Sequence, residues 1–312
     1  MDRQVRVLYL VGWQRSGTTI TGNILGSAPN ACHIGELAYL FKNEHPAGGK
    51  CGCGMLLQYC PIWSQVLEDV GVDWTERTEI DNVRIRAARM RHIPKMLRAW
   101  KLTGVIPEYS QLLSRVYSAV VKRSNAEVVI DSSKTPAEGL AAAMAPSAEV
   151  KFLHLVRDPR GCAYSTAIRR KRHIGSLAGE RMKHKSVALS SVRWTQVNLL
   201  TELYIKRVVP PERYMRVRYE DLMANPKVHL QKIAEWTGLT FDDVPVSDSG
   251  EATLAPSHTV MGNPNRHVTG STQLQKDDEW IIKLDRRKKI YATAPALPLL
   301  HKYGYGLGTQ QP

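Results

Sequence analysis

A buried strand, a glycine-bearing loop and a helix start run together between Val5 and Thr19, and they constrain this chain more than any other feature. Val5–Val11 (VRVLYLV) is an almost unbroken apolar run, the pattern of a strand covered on both faces in a parallel sheet. Gly12-Trp13-Gln14-Arg15-Ser16-Gly17-Thr18-Thr19 follows, and then a helix-compatible ITGNILGS. In such a unit the unpaired N–H groups and the positive end of the helix dipole converge on one point, which makes an anion site. The plainer reading is a glycine-rich turn that holds nothing.

Three further β-rich runs predict strands at Val128–Asp131, Val150–Val156 and Tyr214–Tyr219. Helical patterns alternate with them. Gln111–Lys122 places Leu112, Leu113, Val116, Tyr117, Val120 and Val121 on one face, and Asn225-Pro226 opens a helix that runs to Gly238. Alternating strands and helices predict an α/β fold of three layers, a central mainly parallel sheet flanked by helices. Residues 41–107 break the alternation with a Gly/Cys turn (His45 to Gly54) and a basic helical stretch (Arg84 to Lys101). We read them as an insertion covering the cleft of a single domain, 1–312. A final polar helix is expected from about Asp277 through Lys289.

Composition narrows the function. Hydrophobic residues make up 43% of the 312 and charged ones 23%, which excludes a disordered chain. The 43 Lys+Arg against 29 Asp+Glu leave +14, so an anionic partner is expected. Aromatics are only 7% and do not interleave with the basic residues, which disfavours the stacking platforms of a nucleic-acid binder. No apolar run approaches the ~18 residues that span a bilayer. Met1–Val11 has basic residues before an apolar stretch, but the stretch is short and enters the loop rather than a cleavage site. We therefore expect an unexported, cytoplasmic protein without a transmembrane segment, with peripheral membrane contact left open.

The loop keeps the glycine spacing of the nucleoside-triphosphate motif G-x-x-x-x-G-K-[ST], but Thr18 stands where its lysine belongs and the cation lies inside the loop as Arg15. A P-loop kinase or NTPase is thereby disfavoured, and no acidic cluster suggests a Mg²⁺ site. A second motif closes the third run: Val156-Arg157-Asp158-Pro159-Arg160, with Ser165 eight residues after Arg157. Arg157 could offer a planar fork to a phosphate and Ser165 a hydroxyl, although Arg157-Asp158-Pro159 alone could be a salt-bridged strand end.

Arg-Ser-Gly-Thr-Thr after a buried first strand, with Arg157 and Ser165 at this spacing, resembles the sulfotransferases that use 3′-phosphoadenosine 5′-phosphosulfate (PAPS), in particular their tyrosylprotein and bacterial branches. Arg218-Tyr219-Glu220-Asp221-Leu222 with Asn225-Pro226, and Ser257–Pro264, resemble further segments of those folds. The resemblance implies a P-loop-like fold. It also implies a 5′-phosphosulfate site at Gln14, Arg15, Ser16, Gly17, Thr18 and Thr19, and a 3′-phosphate site at Arg157 and Ser165, with Arg266 as a further contact. PAPS would be co-substrate and the 3′,5′-bisphosphate PAP the product, with no metal. The acceptor would be a small molecule, a carbohydrate or a lipid.

Sulfuryl transfer, by analogy with phosphoryl transfer, needs cations aimed at the leaving phosphate. Arg15 and Lys134 are the candidates. Lys134-Thr135 resembles the Lys-Thr-His of soluble members, but Pro136 occupies the histidine's place. The tyrosylprotein branch uses a glutamate in a Gly-Glu pair, which Gly35-Glu36 matches, so Glu36 is the expected general base. A mere ion-pairing or capping role for Glu36 stays open, and His33 and His258 are the reserve bases. Cys51-x-Cys53-x₆-Cys60, with His45 upstream, is compatible with reduced thiols, a disulfide or zinc. Arg169–His173 reads either as a solvated helix end or as a rim steering an anion. The insertion from Phe41 to Pro107, with Trp63, Trp74, Trp100, Leu56 and Leu57 in it, and the loop around His258 are expected to line the acceptor pocket.

Overall fold

The computed structural model describes residues 4–41, 49–73, 77–167 and 186–308, so the Arg169–His173 run, His45 and Trp74 lie outside the described residues. Its centre is a five-stranded sheet in the order β2-β3-β1-β4-β5, every pair parallel: β1 Val5–Val11, β2 Ala31–Gly35, β3 Val128–Lys134, β4 Ala148–Val156 and β5 Tyr214–Arg218. Successive residues of β1 feed opposite faces of it. Val7, Tyr9 and Val11 enter one core with Val129 and Phe152, while Leu8 and Leu10 enter a second with Ile130, Leu153 and Leu155. The unbroken apolar run of β1 is thus two interleaved faces, each buried side chain contributing about 1.5–3 kcal/mol.

Helix α1 (Thr18–Leu25) leads from β1 to β2, a strand absent from the four expected runs. The insertion supplies α2 (Trp63–Val70), α3 (Arg77–Ala87) and α4 (Ile93–Thr103), followed by α5 (Glu108–Ser124). The single basic helix expected over Arg84–Lys101 is therefore two, broken at Ala88–His92, where Pro94 opens α4. Trp63, Val66, Leu67, Ile93 and Met96 share the core of Tyr9 and Val129, so the insertion is packed into the domain rather than appended to it. Arg84 of α3 donates to Glu138 (2.8 Å) on α6 (Pro136–Ala143), next to β3 in the chain.

After β4 come α7 (Pro159–Ala167), α8 (Val187–Leu200), a π-turn (Thr201–Ile205) and the short α9 (Lys206–Val208). Beyond β5 lie α10 (Tyr219–Ala224) and α11 (Pro226–Thr237), the latter stopped by Gly238 in the left-handed region at φ 76°. Between Gly238 and Asp277 lies an antiparallel pair, β6 (Glu251–Leu254) with β7 (Gly270–Gln273). The single helix expected from Asp277 is split into α12 (Glu279–Lys283) and α13 (Arg286–Thr293), because the Asp285 side chain caps the second by accepting from Lys288 N at 2.8 Å. Among the described residues no helix is long and apolar enough to cross a membrane.

From β1 the chain passes to β2 and β3 on one side and then to β4 and β5 on the other. The crevice outside the carboxyl ends of β1 and β4 is thus the switch point where open α/β sheets take ligands. Gly12, Lys134, Arg157 and Tyr219 emerge there.

Candidate active site

The phosphate loop is shaped by close backbone approach. A Cβ on Gly12 would stand 2.3 Å from the Leu155 carbonyl oxygen, and Gly17, at φ 87°, lies against the ring of Tyr219. Arg15 takes the left-handed region at φ 71°, a conformation that costs a non-glycine residue about 1 kcal/mol or more and gathers at functional sites. Ser16 and Thr18 are buried, while Gln14, Arg15, Gly17 and Thr19 are partly open. Gly17 precedes the first turn of α1, and no side chain caps it. The orphan N–H groups of that turn face the end of the sheet, as an anion site requires.

Lys134 ends β3 and is also left-handed, at φ 73°, within an irregularity that pairs it with Val11; its carbonyl accepts from Gly12 N at 3.0 Å. Its ammonium pairs with the Glu36 carboxylate, both side chains being 13% exposed. Two residues 98 positions apart are thereby joined beside the loop. Glu36 is held through its backbone, donating N–H to Val260 O at 2.9 Å, while Val260 donates to Ile34 O at 2.8 Å. Beneath it lies a network that sequence reasoning missed. Asp131 accepts from Tyr117 OH (2.7 Å) and from Ser133 N (2.8 Å) and Oγ (2.5 Å), and Ser133 Oγ accepts from Ala38 N (3.1 Å), two residues past Glu36. Burial pushes the Asp131 carboxyl up to about 6 against those hydrogen bonds.

The reserve bases are committed elsewhere. His33 is buried, with Nδ1 at 3.0 Å from Asn23 Oδ1 and Nε2 accepting from Ser132 Oγ at 3.1 Å. Burial, with the Lys134 charge, lowers its pKa to about 3. His258 turns its Nδ1 to Cys60 Sγ at 3.2 Å. Pro136 opens α6, capped by Thr135 Oγ1, so its place is structural.

Arg157, 4% exposed, follows β4. It donates from Nη1 to Arg15 O (3.0 Å) and from Nη2 to Asp277 O (2.7 Å), pairs with Asp277 Oδ2 (3.2 Å), and stacks on Tyr219 with its guanidinium carbon 4.4 Å from the ring centre. It thus braces the loop from behind, a role the sequence did not show. Ser165 is buried on α7. Arg266 donates to Thr259 O (3.0 Å) and Lys50 O (2.9 Å), tied to the cysteine segment. Glu220 accepts from Asp158 N (3.0 Å) and Tyr305 OH (2.7 Å) as a structural clasp.

One expectation is corrected. Trp63 and Leu57 do not line a pocket; both are core residues, and Trp63 Nε1 donates to His258 O at 2.6 Å. The cysteine group, left open between thiols, a disulfide and zinc, gathers with a histidine: Cys51, Cys53, Cys60 and His258 place their ligand atoms within 4.8 Å of one another.

A family profile described as "Sulfotransferase family" matches residues 8–243. No curated protein matches the chain. Two solved structures share the fold across nearly their whole length. The sulfotransferase domain of the olefin synthase of Synechococcus PCC 7002 has 19% identity and TM-score 0.56, covering 99% of this chain and 98% of that one. The sulfotransferase domain from the curacin biosynthetic pathway has 17% identity and TM-score 0.57, covering 98% and 100%.

Proposed function

The chain belongs to the sulfotransferase family, and from that premise we propose that it moves a sulfuryl group from PAPS to a hydroxyl of a small-molecule, carbohydrate or lipid acceptor. One observation carries the reading: Arg15, in an uncapped phosphate loop at the end of β1, and the Lys134–Glu36 pair at the end of β3 share one sheet edge.

The chemistry follows from what these groups can hold. The sulfur–oxygen bond to the 5′-phosphate breaks as the acceptor oxygen bonds sulfur, and the acceptor proton passes to Glu36. Charge growing on the leaving phosphate meets Arg15, Lys134 and the loop N–H groups of Gly17, Thr18 and Thr19, with Gln14 and Ser16 beside them. Lys134 serves two masters in turn, holding Glu36 in the resting state and reaching for the phosphate as its charge develops. Arg157 serves the donor by fixing the Arg15 carbonyl, and it meets a 3′-phosphate beside Ser165 by exchanging Asp277 for it. Arg266 acts at a distance, through the segment that holds Glu36.

Glu36→Gln tests the base. Turnover, followed as PAP release with sulfated product confirmed by mass, should fall about 10²–10⁴-fold, about 3–5 kcal/mol in barrier, while PAP affinity is kept. Turnover within about threefold of wild type removes Glu36 from that role.

A further inference from the structure

The cysteine segment makes contacts that the transfer reaction does not use. Lys50 and Leu56 form an antiparallel bridge around a knuckle in which Cys51 N donates to Met55 O (2.7 Å) and Gly54 N to Cys51 O (2.9 Å). Cys51 and Cys53 leave from this knuckle and Cys60 from the turn before α2. His258 arrives from a segment 198 residues further on. Cys60 Sγ is 3.5 Å from Cys51 Sγ, 3.9 Å from Cys53 Sγ and 3.2 Å from His258 Nδ1, and Cys51 Sγ is 3.9 Å from the same nitrogen. Zinc–sulfur bonds of about 2.3 Å and a zinc–nitrogen bond of about 2.0–2.1 Å at tetrahedral angles require edges of about 3.8 Å (S···S) and about 3.5 Å (S···N). These four separations lie within about 0.4 Å of those edges, and the other two are within 4.8 Å.

We propose that Cys51, Cys53, Cys60 and His258 form a closed structural zinc site that staples the insertion to the segment beside Glu36. Three soft thiolates and an imidazole select zinc over the hard cations, and four protein ligands leave no open position for catalysis. Three thiol protons leave on binding, so the centre carries a net charge of −1. A countercharge is already in place. Arg266, 7% exposed, holds the carbonyls of Lys50 and Thr259, which flank Cys51 and His258 in the chain, and among the described residues no carboxylate forms a salt bridge with it. A buried guanidinium with no carboxylate in direct contact is costly; Glu36 acts on it only at longer range, and the zinc–thiolate centre answers it beside Cys51. A disulfide would join only two of the three sulfurs and leave the third facing the imidazole.

The site reaches Glu36 through two residues. Gly52 N donates to Thr259 O (2.9 Å), and the next residue, Val260, bridges Gly35 and accepts from Glu36 N. Zinc would fix the wall on which Glu36 stands.

Tag-free protein purified without chelators from zinc-replete medium decides the matter by elemental analysis. About one zinc per chain is expected, and cobalt substitution should give the intense visible bands of a tetrahedral thiolate site. Cys60→Ser should lose zinc at least fivefold, His258→Cys should retain it as a four-cysteine site, and Cys32→Ser and Cys162→Ser should leave it unchanged. Metal-free wild-type protein, with thiols free or disulfide-bonded by mass spectrometry, overturns the proposal. So does zinc retained by Cys60→Ser. Should Cys60→Ser fail to fold, wild-type zinc content and the cobalt spectrum decide alone.

Discussion

Replacing Arg157 by Met keeps most of its volume but removes three polar contacts: the donations to Arg15 O and Asp277 O, and the pair with Asp277 Oδ2. It also removes the stack on Tyr219. Taking one partner from a buried ion pair costs about 3–5 kcal/mol, since the other loses its compensation. Arg157 is 4% exposed but the Asp277 side chain is 17% exposed, so the lower half of that range applies. Unfolding entropy of about 2.1 cal/mol/K per residue, over 312 residues, makes each kcal/mol worth about 1.5 °C, so Tm should fall by about 4.5–6 °C. Calorimetry measures that fall. Titration calorimetry on the same variant should show PAP affinity reduced at least about tenfold, because the Arg15 carbonyl is no longer held and the proposed 3′-phosphate contact is lost. Arg157→Lys, which keeps the charge but not the fork, should lie between. A Tm within about 2 °C of wild type with unchanged PAP affinity would refute the bracing role.

Two further outcomes follow from the same geometry. His33 is buried and neutral with its pKa lowered to about 3 from the usual 6.5, so the stability it lends is present above pH 6.5 and is lost as acid protonates the unfolded chain. Between pH 7 and pH 5, urea denaturation should show wild type losing about 2 kcal/mol more than His33→Gln, and parallel losses would count against a neutral buried His33. Gly12→Ala drives a Cβ to within 2.3 Å of the Leu155 carbonyl, backbone against backbone, and should cost about 1–3 kcal/mol or more and abolish PAP stabilisation. A fully responsive Gly12→Ala protein would show that the loop has more room than it displays.

The sheet was legible wherever a strand is covered on both faces, because Val5–Val11 and Val150–Val156 are then apolar throughout. Strand β2 was not, since Ala-Cys-His-Ile-Gly offers one β-branched residue in five and owes its place to pairing with β3. The loop after β1 was readable because it follows a strand that was itself legible, whereas Glu36 was singled out by the Gly-Glu resemblance and not by its strand, β2. Arg157 was singled out by its motif, but its bracing of Arg15 was not foreseen, as that contact spans 142 positions. The cysteine spacing announced a cluster but not the histidine from far along the chain: His258 is brought in by the bridge of Val260 to Gly35. Long-range pairing decides such ligand sets, and spacing does not record it.

The assignment of the cleft between β1 and β4 to a 3′-phosphorylated adenosine donor is tested most directly by thermal melts with equal concentrations of PAP and of ATP with Mg²⁺. PAP at about 100 times its Kd should stabilise by about 2.7 kcal/mol, about 4 °C here, with ATP–Mg²⁺ giving little and Arg15→Ala erasing the response. Equal or greater stabilisation by ATP–Mg²⁺ would contradict the assignment.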